Sequence, residues 1–443
     1  MRSEAVDRIL ADHRAVGEAL PGHRVVWLDD ARGRALDWFE TRGFPSVRDE
    51  DWKYTNPGAI ERRHYQPASA RGAVAVGVSG EQVKALTFAE LPCHLLVFVN
   101  GCFDPTFSSV GPLPPGVRVQ SLADVIARDP QRLQSMLGGD PASAFGALNT
   151  AFMTDGAVIE LSRNAVLERP IHLLYIATQA ETSFHYRNLI LAEAGSQATV
   201  VEHYSGPEGA TYLTNTVTTL LGAANSQVEH YKLQQESSKA FHVGGMHASQ
   251  ERDSRFTSHS IALGGAIARS DISSRLNAQG AECTLNGLYM VGGKQLVDHH
   301  TRVDHLKPRC TSREYYRGVL DGTARGVFNG RVIVHQDAQQ TDAQQTNHNL
   351  LLSRDAEVDT KPQLEIFADD VKCAHGATVG QLDDSMIFYL RSRGVEHEVA
   401  RALLIYAFAH DIIGRIRLEP MKRRIERHLI SMLPDGERIK ELV

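Results

Sequence analysis

The sequence predicts a mainly β protein with helical ends, built on a parallel, right-handed β-helix. Three observations carry this expectation. From about Asp155 to Gly380, short β-rich runs recur with Gly, Asn and Asp punctuation and no helical segment between them. Two of the runs nearly echo each other: Ser196-Gln197 leads to Glu202-His203-Tyr204, and Ser226-Gln227 leads to Glu229-His230-Tyr231. The stretches on either side read as helices. A quasi-repeat of roughly 20–30 residues suits one coil of a solenoid, whose Val, Leu and Ile pack against the coils above and below. A sandwich of hairpins is the rival, because strand spacing alone does not fix parallel pairing.

Residues 1–150 form the expected N-terminal region, mainly helical with a mixed connecting segment. DDARGRALDWFETRG places Leu36, Trp38 and Phe39 on a helix that Gly43 closes, with Pro45 barring continuation. DEDWKYTNP follows, where Trp52 and Tyr54 read either as an aromatic anchor for a loop or as a partner or ligand contact. Arg71–Gly80, rich in Ala, Gly and Val, reads as a linker or irregular strand. CHLLVFVNGC has a strand-like centre and an Asn100-Gly101 turn. SLADVIARDPQRLQSMLG reads as helical pieces broken at Pro130.

The β-helix is expected over 151–382, with Gln339-Gln340 and Gln344-Gln345 as amide ladders between stacked turns. A C-terminal helical domain follows over 383–443. Asp383 or Asp384 caps a helix through Leu390 that Gly394 ends, and Glu396 and Glu398 open the next. That second helix, VARALLIYAFAHDIIGRI, is apolar on more than one face, so it needs two covering surfaces, for which its own domain and a partner are the candidates.

Composition narrows the function. A chain of 443 residues holds two or three structural units. Its net charge of −6 argues against a duplex-binding protein, which normally carries a basic excess. The longest apolar runs, such as Ala402–Ala409, fall short of the ~20 residues that span a bilayer. MRSEAVDRILADHR lacks the apolar core of a signal peptide. The five cysteines form no CxxC pair, which argues against a closed zinc or four-cysteine cluster site and fits reduced cytoplasmic thiols.

Cys373-x-His375 is the sharpest chemical signal. Thiolate and imidazole are ligand types that iron and its clusters accept, and two residues apart on a strand they point to one face. Two ligands do not make a site; the rest must come from elsewhere or from another chain. A buried Cys beside a hydrogen-bonded His is the plainer alternative. VDHHTRVDHLKPRC offers His299, His300, His305 and Cys310, read either as a metal site or as solvent-exposed turns of the β-helix. GLYMVGGKQ is not a phosphate loop: five residues separate Gly287 from Gly293, and Gln295 follows Lys294. The basic run Met421–Arg424 reads as a solvated helix face or a docking contribution.

The stretch QQTNHNLLLSRDAEVDTKPQLEIFADDVKCAHGATVGQLDDSMIFYLRSRG, Gln344–Gly394, closely resembles the SufD branch of the SufB/SufD family of iron–sulfur cluster assembly proteins. A Trp-Lys-Tyr-Thr element near the N-terminus is also similar. The SufB pattern has Glu-His-Glu-Ala where this chain has Ala374-His375-Gly376-Ala377, and CGAHTxP where it has Ala356–Pro362. The resemblance therefore implies a non-catalytic subunit that completes a shared site rather than building clusters alone. It implies pairing with SufB through the β-helices and docking of the ATPase SufC through the C-terminal helices, for which Tyr389, Arg391, Arg393 and Phe408 are the expected contacts. It implies iron or a nascent Fe–S cluster, transient and shared, near His375 and Cys373, with no nucleotide on this chain. A homodimer in isolation, no nucleic acid, no membrane and a cytoplasmic location complete the expectation. A β-helix enzyme of the polysaccharide lyase or acyltransferase type and a self-associating structural protein are the alternatives.

Overall fold

The computed structural model describes residues 3–68, 77–88, 90–433 and 436–439, so the expected linker at Arg71–Gly80 lies outside the described residues except for 77–80. The N-terminal region runs α1 (Glu4–Val16), α2 (Val26–Arg42), α3 (Gly58–Glu61), β1 (Gln66–Pro67), α4 (Gly80–Leu86), β2 (His94–Val99) and β3 (Cys102–Phe103). It continues with β4 (Val117–Ser121), α5 (Leu122–Arg128), α6 (Gln134–Leu137) and α7 (Ala144–Phe152). Then come β5 (Ala157–Leu161), β6 (Ile171–Ile176), β7 (Thr182–Ala192), β8 (Gln197–Ser205), β9 (Leu213–Gly222), β10 (Gln227–Gln235), β11 (Phe241–Gln250) and β12 (Arg255–Ala262). The last strands are β13 (Ile267–Leu276), β14 (Glu282–Val291), β15 (Leu296–His305), β16 (Thr311–Leu320), β17 (Arg325–Val334), β18 (Thr341–Leu351), β19 (Glu357–Ile366) and β20 (Val371–Gly380). Helices α8 (Asp384–Ser392), α9 (His397–Ile413), α10 (Glu419–Met432) and α11 (Gly436–Ile439) close the chain.

From β5 onward every strand pairs in parallel with the strand two places along, odd-numbered strands in one sheet and even-numbered strands in the other. That is a two-faced β-helix, and it excludes the hairpin sandwich. Each coil contains one residue with positive φ at the same corner: Asn164, Gly195, Asn225, Asp253, Gly280, Arg309 and Gln340. Their N–H groups donate to the carbonyls of Ala194, Ala224, Arg252, Gln279, Pro308, Gln339 and Asp370, each on the next coil. Asn, Asp and Gly enter the left-handed region most readily, which explains the punctuation seen in the sequence.

The register explains the echo, and corrects half of it. Gln197 lies opposite Gln227, as Ser-Gln implies. The two Glu-His-Tyr triplets do not align, because Lys232 stands opposite Glu202. A shift of three residues reverses the facing: Glu202 and His230 are buried inside the coil, whereas Glu229 is on the outer side. The glutamines bond between coils, though not amide to amide. Gln339 Oε1 accepts from the Asp370 N–H at 2.9 Å, Gln340 Oε1 from Arg309 Nε at 3.0 Å, and Gln345 Nε2 donates to Glu314 at 3.2 Å.

The outer faces are covered from the two ends of the chain. On the odd-numbered sheet, Trp52 stacks on Phe145 at 5.3 Å and lies 4.0 Å beneath the Arg269 guanidinium, which pairs with Asp298 at 2.8 Å. Thr55 Oγ1 donates to the same Asp298 at 2.6 Å. The DEDWKYTNP segment is therefore an anchor. On the even-numbered sheet, Ile405, Ala409 and Ile412 of α9 join Leu233, Ile261, Leu288 and Val319 in one apolar cluster with Met421, Ile425 and Leu429 of α10. Both covering surfaces of α9 thus belong to its own chain, and the expected need for a partner there is removed. Arg424 of the basic run clamps α10 down through the carbonyls of Ala85 and Leu86 and the Gln235 side chain, at 3.0 Å each. Among the described residues no helix is long and apolar enough to cross a membrane.

Inside the coils, two tyrosines take the space left by two glycines. Tyr316 faces Gly287 and Tyr289 faces Gly318 in register, both rings buried. A Cβ on either glycine would stand 2.1 Å from the facing ring. Gly287→Ala or Gly318→Ala is expected to cost about 1–3 kcal/mol by overpacking. Gly292→Ala, with open space around it, is expected to stay within about 0.5 kcal/mol of the parent. Urea unfolding midpoints of the three variants check this.

Candidate functional site at the open end of the β-helix

The two sheets end on β19 and β20, each paired on one side only. Inward-facing positions here alternate along β20 as Val371, Cys373 and His375, because β18 presents buried Thr341, Ala343 and Gln345 opposite them. Cys373 is half-buried against Ala343, Val332, Val334 and Leu364. His375, one step further, is exposed. The pair does share a face, as the spacing implies, but the two side chains meet different surroundings. Burial pushes the Cys373 thiol above its ordinary range, with the Ala343 N–H pulling it down and Asp342 adding to the rise. That disfavours the thiolate a metal requires. No group of three or more His, Cys, Asp or Glu side chains with metal-binding geometry occurs among the described residues.

Behind His375 runs a polar column invisible in the sequence. The register stacks Glu314, Gln345 and His375 on three successive even-numbered strands. Glu314 is fully buried; it accepts from Gln345 at 3.2 Å and from Thr301 Oγ1 at 2.5 Å. Burial pushes its carboxyl up to about 7, against the downward pull of those two hydrogen bonds. Only knowledge of the register identifies this residue, since Glu314 lies 61 positions before His375.

The helix α8 begins just past β20, after Gln381–Asp383. Asp383 caps it by accepting from the Ser385 N–H at 2.8 Å, and Gly394 follows with φ of 89°. Met386, Phe388 and Tyr389 are 55%, 73% and 57% exposed, so this helix, rather than α9, carries the uncovered apolar surface. The Arg393 guanidinium lies 5.1 Å from the Tyr389 ring centroid, and Arg391 stands in the last turn. Phe408 sits apart, half-buried on α9 with Arg317 4.7 Å from its ring centroid.

The histidine-rich run does not converge. His299 is buried between Tyr289 and Tyr316, His300 faces outward to Asp298 at 3.0 Å, and His305 is buried against Ser312 at 2.9 Å. Neither of the two readings describes it: the alternation puts successive side chains on opposite sides of the sheet, and two of the three are core rather than solvent-exposed. Gly287 lies within β14 and Gly293 in the turn before β15, so no helix follows to form a phosphate cradle.

Two family models match the chain: "SUF system FeS cluster assembly, SufBD core domain" over residues 175–408, and "SufBD protein N-terminal region" over residues 11–173. The chain belongs to the SufBD family. It is 35% identical over 400 residues to the iron–sulfur cluster assembly protein SufD of Escherichia coli (strain K12), covering 89% of this chain and 91% of the relative. An iron–sulfur cluster assembly SufBD family protein of Synechocystis is 33% identical over 410 residues, with 90% and 89% covered. The chloroplastic protein ABCI7 of Arabidopsis thaliana is 27% identical over 404 residues, with 88% and 83% covered. SufBD membership fits the β-helix between helical ends.

The Glu314 carboxyl yields a pH test. Its folded pKa is raised from 4.5 to about 7, so the native state holds a proton that the unfolded chain has released between those values. Its contribution to stability is full below about pH 4.5 and is lost as pH rises through about 7. Glu314→Gln keeps a neutral side chain throughout. The stability of the parent relative to Glu314→Gln is therefore expected to fall between about pH 5 and about pH 8. Urea titrations of both at each pH measure the difference; parallel pH profiles would contradict it.

Proposed function

We propose that this SufBD family member is the SufD-type, non-catalytic subunit of an iron–sulfur cluster assembly scaffold. It pairs with a SufB-type subunit through β19 and β20 and presents His375 to iron or a nascent cluster shared across that junction. The observation that carries this reading is the position of His375: exposed, on the last strand of an unclosed sheet, with no third ligand gathered around it among the described residues. Two ten-residue strands with open edges are a ready template for strand addition. In isolation the same edges can accept a second copy of the chain.

A SufC-type ATPase docks on α8, where Met386, Phe388 and Tyr389 supply apolar contact and Arg391 and Arg393 supply charge. Phe408 contributes only where Arg317 leaves its ring open. Nucleotide chemistry resides in that partner. Because Gln381–Asp383 alone separate α8 from the strand carrying His375, a partner that binds two states of α8 unequally shifts the open end between two arrangements. The site of action is the cytoplasm, with neither membrane nor nucleic acid involved.

His375→Ala is expected to leave the fold and the three-subunit complex intact and to lower the iron and sulfide recovered with it by about tenfold or more. Cys373→Ser is expected to have a smaller effect, because its thiol is shielded and held protonated. Co-purification from cells with paired iron and sulfide analysis decides: normal cluster content in His375→Ala excludes the ligand role, and loss of the complex makes His375 an interface residue. Replacing the exposed α8 residues together, Met386→Ala/Phe388→Ala/Tyr389→Ala, is expected to abolish capture of the ATPase while sparing the SufB-type subunit. A pull-down that retains the ATPase would place its dock elsewhere.

A further inference from the structure

The N-terminal cover leaves a groove of about 730 Å³ over the outer face of the odd-numbered sheet, reaching from β7 towards β19. Part of its floor is nearly bare, where Val217 and Gly245 continue the row that begins at Arg187. The roof is the 139–146 segment leading into α7. Four cations along the groove have carboxylate partners. Arg269 pairs with Asp271 and Asp298, Arg302 with Asp304 and Arg331 with Glu365, at 2.6–2.8 Å, and Lys361 pairs with Glu50.

Arg187 differs. Its Nη2 donates to Thr150 Oγ1 at 3.3 Å, its Nε is buried without an acceptor, and no carboxylate among the described residues acts on its charge. Burial lowers its pKa to about 10, so it stays charged at neutral pH without a counter-ion. A half-buried cation in that state carries a cost, and a bound anion removes it. His247 stands two strands along the floor. Its Nδ1 lies 2.8 Å from Ser273 Oγ, while Nε2 lies over Gly245, where a Cβ would meet it at 3.0 Å.

We propose that the groove binds a small-molecule oxyanion, its phosphate or carboxylate group seated on Arg187 with Thr150 and His247 alongside. A guanidinium offers paired N–H donors to either group. The volume admits a molecule of nucleotide or tricarboxylate size. Six strand-to-strand steps along the sheet, about 29 Å, separate β7 from β19, so this site is distinct from the open end of the β-helix.

Calorimetric titration of the full chain with inorganic phosphate, AMP and citrate tests the proposal. Saturable binding of at least one probe is expected. Preference for phosphate or AMP identifies a phosphate group as the natural anchor, and preference for citrate identifies a carboxylate. Arg187→Gln is expected to weaken binding by about tenfold or more, whereas Arg302→Gln, whose guanidinium is already paired, is expected to change it by less than about twofold. Should Arg187→Gln fail to fold by circular dichroism, the Thr150→Val/His247→Ala double variant takes its place, with a loss of about fivefold expected. No saturable heat with any probe, or unchanged binding in the folded variant, overturns the site.

Discussion

The left-handed corner residue is the constraint on which the rest of the molecule depends. One per coil, from Asn164 to Gln340, it turns the chain so that its own N–H reaches a carbonyl of the next coil. That bond sets where each coil begins, and the parallel register follows. In a strand, a slip of one residue moves every side chain to the opposite face. The corner therefore decides that Glu314, Gln345 and His375 share an inward column, and that Tyr289 and Tyr316 meet glycines rather than each other. Non-glycine residues hold this conformation at a cost, most plainly Arg309 and Gln340, where no short polar side chain bonds locally. The repeated interstrand ladder outweighs that cost.

What was legible in the sequence is what local chemistry dictates. The Asn100-Gly101 turn, the Asp383 cap and Gly394 stop of α8, and the Ser-Gln period of the coils all express backbone preferences within a few residues. What was not legible depends on distance. The two Glu-His-Tyr triplets look equivalent as strings, yet their offset of three residues buries one Glu and leaves the other facing outward. The apolar faces of α9 announce that it must be covered, but not that α10 and the even-numbered sheet do the covering. Arg424 and the histidine-rich run likewise took their roles from packing: one became a clamp onto α4, the other a set of separate core and surface contacts. For the candidate site, the sequence identified Cys373 and His375 as a pair. Only the fold separates them into a shielded thiol and an exposed imidazole.

The ends of the β-helix are treated differently. At the start, β2 continues in β3 as an antiparallel hairpin, and β4 lies antiparallel against β5, so both sheets end on short strands that reverse direction. At the finish, β19 and β20 run ten residues each with one neighbour apiece. Soluble proteins normally blunt such edges, because an open strand recruits others. Pro362 on β19 is one such device, since it cannot donate to a further strand. β20 contains no proline, and it is the strand that bears His375.

That contrast ties the chemistry to the mechanics. A strand held on one side only is the easiest part of a sheet to displace, and α8, with most of its apolar surface uncovered, follows it after three residues. Force applied to α8 reaches β20 before it reaches the coils behind, which the corner bonds and both outer covers hold in place. A ligand on β18 would have been rigid; one on α8 would have had no sheet to orient it. Between the two, His375 is placed by its register with Gln345 on a strand that is paired on one side only. In the reading proposed here, a site that must open and close requires both properties in one residue.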